Sequence, residues 1–126
     1  MINDVEKILF TEEQLRRRVE ELGEQLTADY AGKSPVLVSV LRGSYIFMAD
    51  LTRQVKLPIT VDFMVLSSYG SGTSSSGQVE IKKDLSDSIE GKDLIIVEDI
   101  LDSGNTLYYL RDVLKARKPA SIRICT

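Results

Sequence analysis

Short apolar runs alternate with helical segments along this chain, and this alternation is its strongest constraint on fold. Runs of strand length occupy residues 36–40, 59–66, 93–97 and 121–126, and helical segments follow the first and third of them. Strands that alternate with helices pair side by side in a parallel sheet, because each connection crosses one face of the sheet. The sequence therefore predicts an α/β fold with a mostly parallel twisted sheet and helices on both faces.

A long amphipathic helix is predicted ahead of the first strand, from Glu12 to Ala31. Thr11 and Gln14 have the spacing of a capping box, and Phe10 suits a hydrophobic staple with Leu15. Gly32 suits the left-handed position after the helix end. Apolar residues at helical spacing predict a stripe that faces the sheet: Leu15, Val19, Leu22, Leu26 and Tyr30.

A flexible hairpin is predicted in the middle of the chain. Residues 70–77 read GSGTSSSG and contain only Gly, Ser and Thr, the composition of a flexible loop. Residues 79–82 alternate in polarity and are predicted to form a strand beside the run at 59–66. Earlier in the chain, Ser44 is predicted to cap the helix at 45–51.

The composition excludes several kinds of site. The chain has no histidine and one cysteine, Cys125, so within it a Ser-His-Asp site, a His-ligated metal site and an internal disulfide are impossible. General acid or base chemistry falls to Asp, Glu, Lys or Tyr, and a metal would be a hard cation such as Mg²⁺ on carboxylate oxygens. Cys125 itself is expected to be a small core residue.

The charge and the hydropathy of the chain indicate which partners it is not expected to bind. The 16 basic and 19 acidic residues provide no overall attraction to nucleic acid. No apolar run reaches the roughly 18 residues of a membrane-spanning helix, so no membrane partner is expected. The N-terminus lacks the basic and apolar regions of a signal peptide, which predicts a cytoplasmic location.

Acidic residues cluster directly after the run at 93–97. Glu98, Asp99 and Asp102 place three carboxylates close together, and a divalent cation or a hydroxyl-rich ligand would relieve their repulsion. The following residues, 103–106, combine backbone N–H groups, hydroxyls and a helix start, which suits a phosphate. The alternative is an ordinary strand–turn–helix junction with Asp102 or Ser103 as the helix cap. A receiver-like signalling domain also gathers acidic residues at strand ends, but lacks such a phosphate turn.

These residues carry a resemblance to a known family. Residues 97–107, VEDILDSGNTL, resemble the phosphoribosyl-pyrophosphate signature of type I phosphoribosyltransferases in its hypoxanthine-guanine form. Residues 40–45, VLRGSY, resemble the pyrophosphate loop of that family, and residues 67–70, SSYG, resemble the start of its mobile catalytic loop. The motifs share the order and spacing of the family, and the resemblance extends over essentially the whole chain.

The resemblance implies a reaction and its cofactor. The reaction is transfer of ribose 5-phosphate from phosphoribosyl pyrophosphate to a 6-oxopurine base in purine salvage, with release of pyrophosphate. Glu98 and Asp99 would hold the ribose hydroxyls and Mg²⁺, and Asp102 would be the general base at the purine ring. The family also implies a homodimer or homotetramer.

The resemblance further implies which residues bind the phosphates. The 5′-phosphate would be bound by Asp102, Ser103, Gly104, Asn105 and Thr106. The pyrophosphate would be bound by Leu41, Arg42 and Gly43. Ser68 and Tyr69 would begin the mobile loop that closes over the site and excludes water.

The chain departs from the family pattern beyond residue 126. In the family, several dozen further residues carry a lysine, a stacking aromatic and an aspartate that read the purine. Residues 1–126 are therefore expected to form a single phosphoribosyltransferase domain that is C-terminally incomplete. Two alternatives remain open: the chain belongs to an ordinary enzyme, or it is a non-catalytic fragment or regulator that binds phosphoribosyl pyrophosphate.

Overall fold

The computed structural model describes residues 11–41, 44–68, 79–98 and 104–125 of the chain. Its helices are α1 (Glu12–Asp29), α2 (Tyr45–Thr52) and α3 (Gly104–Lys115). Its strands are β1 (Val36–Leu41), β2 (Thr60–Ser68), β3 (Val79–Lys83), β4 (Asp93–Val97) and β5 (Ser121–Cys125). No helix within these ranges combines the length and the hydropathy needed to cross a membrane.

The strands form one five-stranded sheet in the order β3-β2-β1-β4-β5. β1 is central and pairs in parallel with both β2 and β4, and β5 pairs in parallel with β4. β3 pairs with β2 antiparallel, as expected for a hairpin around the segment that follows Ser68. The predicted α/β fold is confirmed, and the predicted strand bounds are correct to within two residues.

Side-chain alternation along the central strands builds a core on each face of the sheet. Val36, Val38, Leu94 and Ile96 point to one face, where they pack with Leu110 and Leu114 of α3 and other residues. The residues that alternate with them, Leu37, Ile95 and Val97, point to the other face, where α1 and α2 pack. Central strands buried on both faces have no solvent-facing side, which is why their sequences are mostly apolar.

The predicted capping box of α1 is confirmed. The backbone N–H of Gln14 donates to the Thr11 hydroxyl at 3.1 Å, and the backbone N–H of Thr11 donates to the side-chain oxygen of Gln14 at 2.8 Å. The helix ends at Asp29, two residues before the predicted end, and Gly32 has the positive φ of 79° that was expected. Phe10 lies outside the described residues, so the staple stays a prediction.

The predicted apolar stripe of α1 is correct except at its first residue. Val19, Leu22 and Leu26 pack against the core, and Tyr30 is buried. Leu15 remains 53% exposed. It borders an open cleft between α1 and the end of α2, so water reaches one side of its side chain.

Candidate active site

The carboxyl ends of β1 and β4 form a topological switch point. After β1 the chain crosses through α2 on one face of the sheet, and after β4 it crosses through α3 on the other face. Ser39 of β1 lies opposite Val97 of β4 in the ladder, so the two strands end beside each other. Open α/β sheets bind ligands in the crevice outside such a point.

The predicted site residues within the described ranges all lie at this edge of the sheet. Leu41 is the last residue of β1 and Ser68 is the last residue of β2. Glu98 follows β4 directly, is half-buried, and donates its backbone N–H to the Cys125 carbonyl at 3.0 Å. The structure therefore brings together segments that are far apart in the sequence.

The helix that follows the acidic cluster begins within the segment 103–106, where a helix start was predicted. α3 begins at Gly104, so Gly104, Asn105 and Thr106 form its first turn. The first backbone N–H groups of a helix have no partner within the helix and carry a partial positive charge. Because α3 starts shortly after the carboxyl end of β4, these groups lie at the same edge as Glu98.

Other predicted residues lie outside the described part of the chain. These are Arg42, Gly43, Tyr69, Asp99, Asp102, Ser103 and the stretch 70–77. The side chains of Ser68, Asn105 and Thr106 are likewise outside it. Their roles stay predictions.

The structure corrects the role of Ser44. It precedes α2 as predicted, but its side chain makes no capping hydrogen bond with that helix. The Ser44 hydroxyl instead donates back to the Val40 carbonyl at 2.8 Å and lies 2.6 Å from the Ser39 hydroxyl. The sequence indicates this pair only through Ser39, a serine within the apolar run of β1.

A buried carboxylate that sequence reasoning missed organises the base of the β2–β3 hairpin. Asp62 is 9% exposed and accepts hydrogen bonds from the backbone N–H groups of Phe63 and Ser86, both at 2.8 Å. Lys83 donates to the Phe63 carbonyl at 2.9 Å, and its ammonium lies 3.9 Å from the Asp62 carboxylate. An aspartate inside an apolar strand was the available signal, since a buried charge needs such partners.

A second carboxylate ties the segment after β3 to the end of α3. Both terminal nitrogens of Arg117 donate to the two carboxylate oxygens of Asp84 at 2.8 Å. The Arg117 hydrogen bonds hold the pKa of the Asp84 carboxyl below its usual value, and Asp84 in turn raises the pKa of Arg117. This pair joins the hairpin to the helix that begins at the candidate site.

The remaining chemistry of the described residues is limited. No group of three or more Asp, Glu, Cys or His side chains that could hold a metal occurs among residues 11–41, 44–68, 79–98 and 104–125. Glu98 is the described carboxylate at the switch point, and it offers the oxygen ligand that Mg²⁺ prefers. Cys125 is a buried core residue as predicted, and burial raises the pKa of its thiol.

Comparison with known proteins identifies the family. The model of the phosphoribosyl transferase domain matches residues 7–126. The chain belongs to the phosphoribosyltransferase family. A hypoxanthine-guanine phosphoribosyltransferase of Streptococcus thermophilus is 54% identical over 123 residues, which span 98% of this chain and 68% of the relative. One of Streptococcus agalactiae is 52% identical over 124 residues.

Solved structures of phosphoribosyltransferases have the same fold. The hypoxanthine phosphoribosyltransferase of Staphylococcus aureus superposes with a TM-score of 0.91 at 48% identity. The aligned region covers 100% of this chain and 68% of the Staphylococcus aureus chain. The hypoxanthine-guanine enzyme of Bacillus anthracis gives a TM-score of 0.88 at 45% identity, with 94% and 70% covered. The resemblance based on three short motifs is thus confirmed over nearly the whole chain.

Proposed function

We propose that this phosphoribosyltransferase transfers the 5-phosphoribosyl group from phosphoribosyl pyrophosphate to hypoxanthine and guanine, forming IMP or GMP and pyrophosphate. One observation carries the proposal: the parallel order of β2, β1 and β4 brings the ends of three motif segments to one switch point. The names of the relatives at 54% identity support the choice of purine. On this proposal residues 1–126 belong to a single phosphoribosyltransferase domain.

The phosphate groups of the substrate are assigned to two segments of the site. The 5′-phosphate binds at Asp102 and Ser103, which precede α3, and at Gly104, Asn105 and Thr106 of its first turn; together they offer N–H groups and hydroxyls. The pyrophosphate binds at Leu41, the last residue of β1, and at Arg42 and Gly43, which follow it in the sequence. The position of Leu41 at the end of β1 and the start of α3 at Gly104 support these assignments.

The reacting sugar is assigned to the acidic cluster after β4. Glu98 and Asp99 hold the ribose hydroxyls and Mg²⁺, which would supply positive charge against the pyrophosphate leaving group. The half-buried Glu98 at the switch point supports this, since its carboxylate is the type of ligand that Mg²⁺ takes. Asp102 is the general base that accepts the proton from the purine ring nitrogen.

The hairpin after β2 is assigned to closure of the site. Ser68 and Tyr69 begin the mobile loop, which covers the substrate and excludes water that would otherwise attack the sugar. The pairing of Ser68 with Val79 across the β2–β3 ladder supports this assignment, since a moving loop needs fixed ends. We further propose a cytoplasmic homodimer or homotetramer, which light scattering of the purified protein would test.

The test is an assay of the purified protein with phosphoribosyl pyrophosphate, Mg²⁺ and each 6-oxopurine in turn. We expect IMP from hypoxanthine and GMP from guanine. No nucleotide from hypoxanthine, guanine or xanthine would contradict the transferase. In that case calorimetry with phosphoribosyl pyrophosphate, with and without Mg²⁺, decides the alternative, because tight binding without turnover indicates a binding module.

A further inference from the structure

The short helix α2 is apolar on almost every side. Its sequence is YIFMADLT, in which Asp50 and Thr52 are the clearly polar residues. Met48 and Leu51 are buried in the core on this face of the sheet. A helix that is apolar all round is normally buried all round. Tyr45 and Ile46 nevertheless remain 55% and 59% exposed, so the outer side of α2 offers apolar surface to a further layer of protein.

The exposed apolar surface continues onto the elements beside α2. Leu15 of α1 is half-exposed and borders a cleft that is also lined by Asp50, which lies one turn after Ile46 on the same side of α2. In the neighbouring strand, Val61 is paired with Leu37, faces the same side of the sheet as α2, and is 39% exposed. Exposed apolar surface shared by several elements marks an interaction site. We call these four residues the α2 surface: Leu15, Tyr45, Ile46 and Val61.

The charges beside the α2 surface favour a second copy of the chain as its partner. The cleft next to Leu15 is lined by side chains of both signs: Glu12, Glu13, Glu20, Asp50, Arg16 and Arg53. A two-fold contact brings a surface against a rotated copy of itself, so a surface with charges of one sign would repel its copy. Mixed signs allow the acids of one copy to approach the bases of the other. A nucleic acid or an anionic membrane would instead require an excess of basic residues, which this rim lacks.

The layout of the surface is that of a protein–protein interface. Such interfaces combine an apolar centre with a polar rim, and a stable one covers about 800 Å² of each partner. Aromatic side chains such as Tyr45 often carry much of the binding energy at the centre. The charged residues of the cleft supply the rim.

We propose that a second copy of this chain docks on the α2 surface through a two-fold symmetric contact, with Tyr45 and Ile46 at its centre. The proposal names the surface used by the homo-oligomer and rests on that part of the proposed function. It does not depend on the reaction, because none of the four residues is assigned to the substrate.

The test measures self-association of the full chain by sedimentation velocity over a range of protein concentrations. We expect the wild-type chain to dimerise. Tyr45→Lys and Ile46→Lys should each raise the dimer Kd about 100-fold or more, because every dimer contains the substitution twice and must desolvate both charges. Tyr108→Lys is the matched control, since Tyr108 is 62% exposed on α3, which packs on the opposite face of the sheet. It should leave the dimer Kd unchanged.

A fluorescence measurement decides the matter if the lysine variants do not fold. The chain has no tryptophan, so Tyr45→Trp introduces a single reporter by a conservative change. Its emission should move to shorter wavelength as the protein concentration rises, because dimerisation removes the side chain from water. The emission of Tyr108→Trp should not change with concentration.

The outcomes separate this inference from the function. A wild-type dimer whose Kd is unchanged in both Tyr45→Lys and Ile46→Lys overturns the inference and leaves the homo-oligomer in place. Equal weakening by Tyr108→Lys also overturns it, as does an emission of Tyr45→Trp that stays constant while the protein dimerises. A wild-type chain that is monomeric at high micromolar concentration overturns both the inference and the homo-oligomer, and leaves the α2 surface to a different protein. The assay of nucleotide formation tests the reaction independently of all these results.

Discussion

Ser39 in β1 lies directly opposite Val97 in β4, and this pairing aligns the carboxyl ends of the two strands. β1 ends at Leu41 and β4 ends at Val97, so the chain leaves both strands at the same edge of the sheet. α2 and α3 then cover opposite faces, which is the arrangement at which open α/β sheets bind ligands. The position of the candidate site follows from this pairing.

Replacement of the proposed general base should separate turnover from binding. We expect Asp102→Asn to lower kcat by about 10²- to 10⁴-fold, the usual contribution of a positioned acid or base, with a much smaller change in the Kd for phosphoribosyl pyrophosphate. Steady-state nucleotide formation and calorimetry measure the two quantities. Asp112→Asn, on the exposed side of α3, is the control and should change neither. Equal losses in kcat and affinity would argue against a general base at Asp102.

Removal of the proposed Mg²⁺ should strongly weaken substrate binding at the acidic cluster. With excess EDTA we expect no nucleotide formation and a large loss of affinity for phosphoribosyl pyrophosphate, both restored by Mg²⁺. Glu98→Gln keeps the size of the half-buried side chain but removes its charge, so it should raise the Mg²⁺ concentration needed for half-maximal activity. The exposed Glu90→Gln serves as control. An unchanged Mg²⁺ requirement in Glu98→Gln would exclude Glu98 as a ligand.

The close approach of α1 to the end of α2 should make a common stabilising substitution harmful. A Cβ at Gly23 would lie 2.8 Å from the backbone carbonyl carbon and oxygen of Gln54. We expect Gly23→Ala to lower the free energy of unfolding by about 1–3 kcal/mol. In an open helix the same change gains about 0.5–1 kcal/mol, so the sign of the effect is diagnostic. Urea unfolding measures it, with the exposed Glu24→Ala as control.

The ion pair between Asp84 and Arg117 should contribute stability with a defined pH dependence. Because the pKa of Asp84 is lowered in the folded state, the contribution is complete above the ordinary Asp value of about 3.9 and is lost as the pH falls through the folded pKa. The side chains are 48% and 35% exposed, which limits the gain to about 1 kcal/mol.

Asp84→Asn tests this dependence. Its deficit in the free energy of unfolding should be present at pH 7, shrink at high salt, and vanish at the acid end of the range. Urea unfolding at several pH values measures it, with the exposed Asp87→Asn as control. A deficit that persists unchanged at low pH would show that packing, and not charge, accounts for the role of Asp84.

Elements specified by local interactions were predicted from the sequence. The bounds of β4, Asp93–Val97, are those of the predicted run, because a strand buried on both faces is built mainly from apolar residues. The capping box of Thr11 and Gln14 was equally readable, since both hydrogen bonds join residues three apart. The motifs at 40–45 and 97–107 indicated the family because their residue order does not depend on the rest of the fold.

Contacts between distant residues were decided by the tertiary structure alone. Asp62 is buried because the amide of Ser86, 24 residues later, comes within 2.8 Å of it. The Ser44 hydroxyl forms its hydrogen bonds with β1 and does not cap α2, because Ser39 places a hydroxyl near the end of the strand. The sequence by itself determined the strands, the helices and the chemistry of each motif, which depend on neighbouring residues. Only the parallel order of the strands decided that the motifs meet at one edge, because pairing between strands depends on packing across the whole sheet.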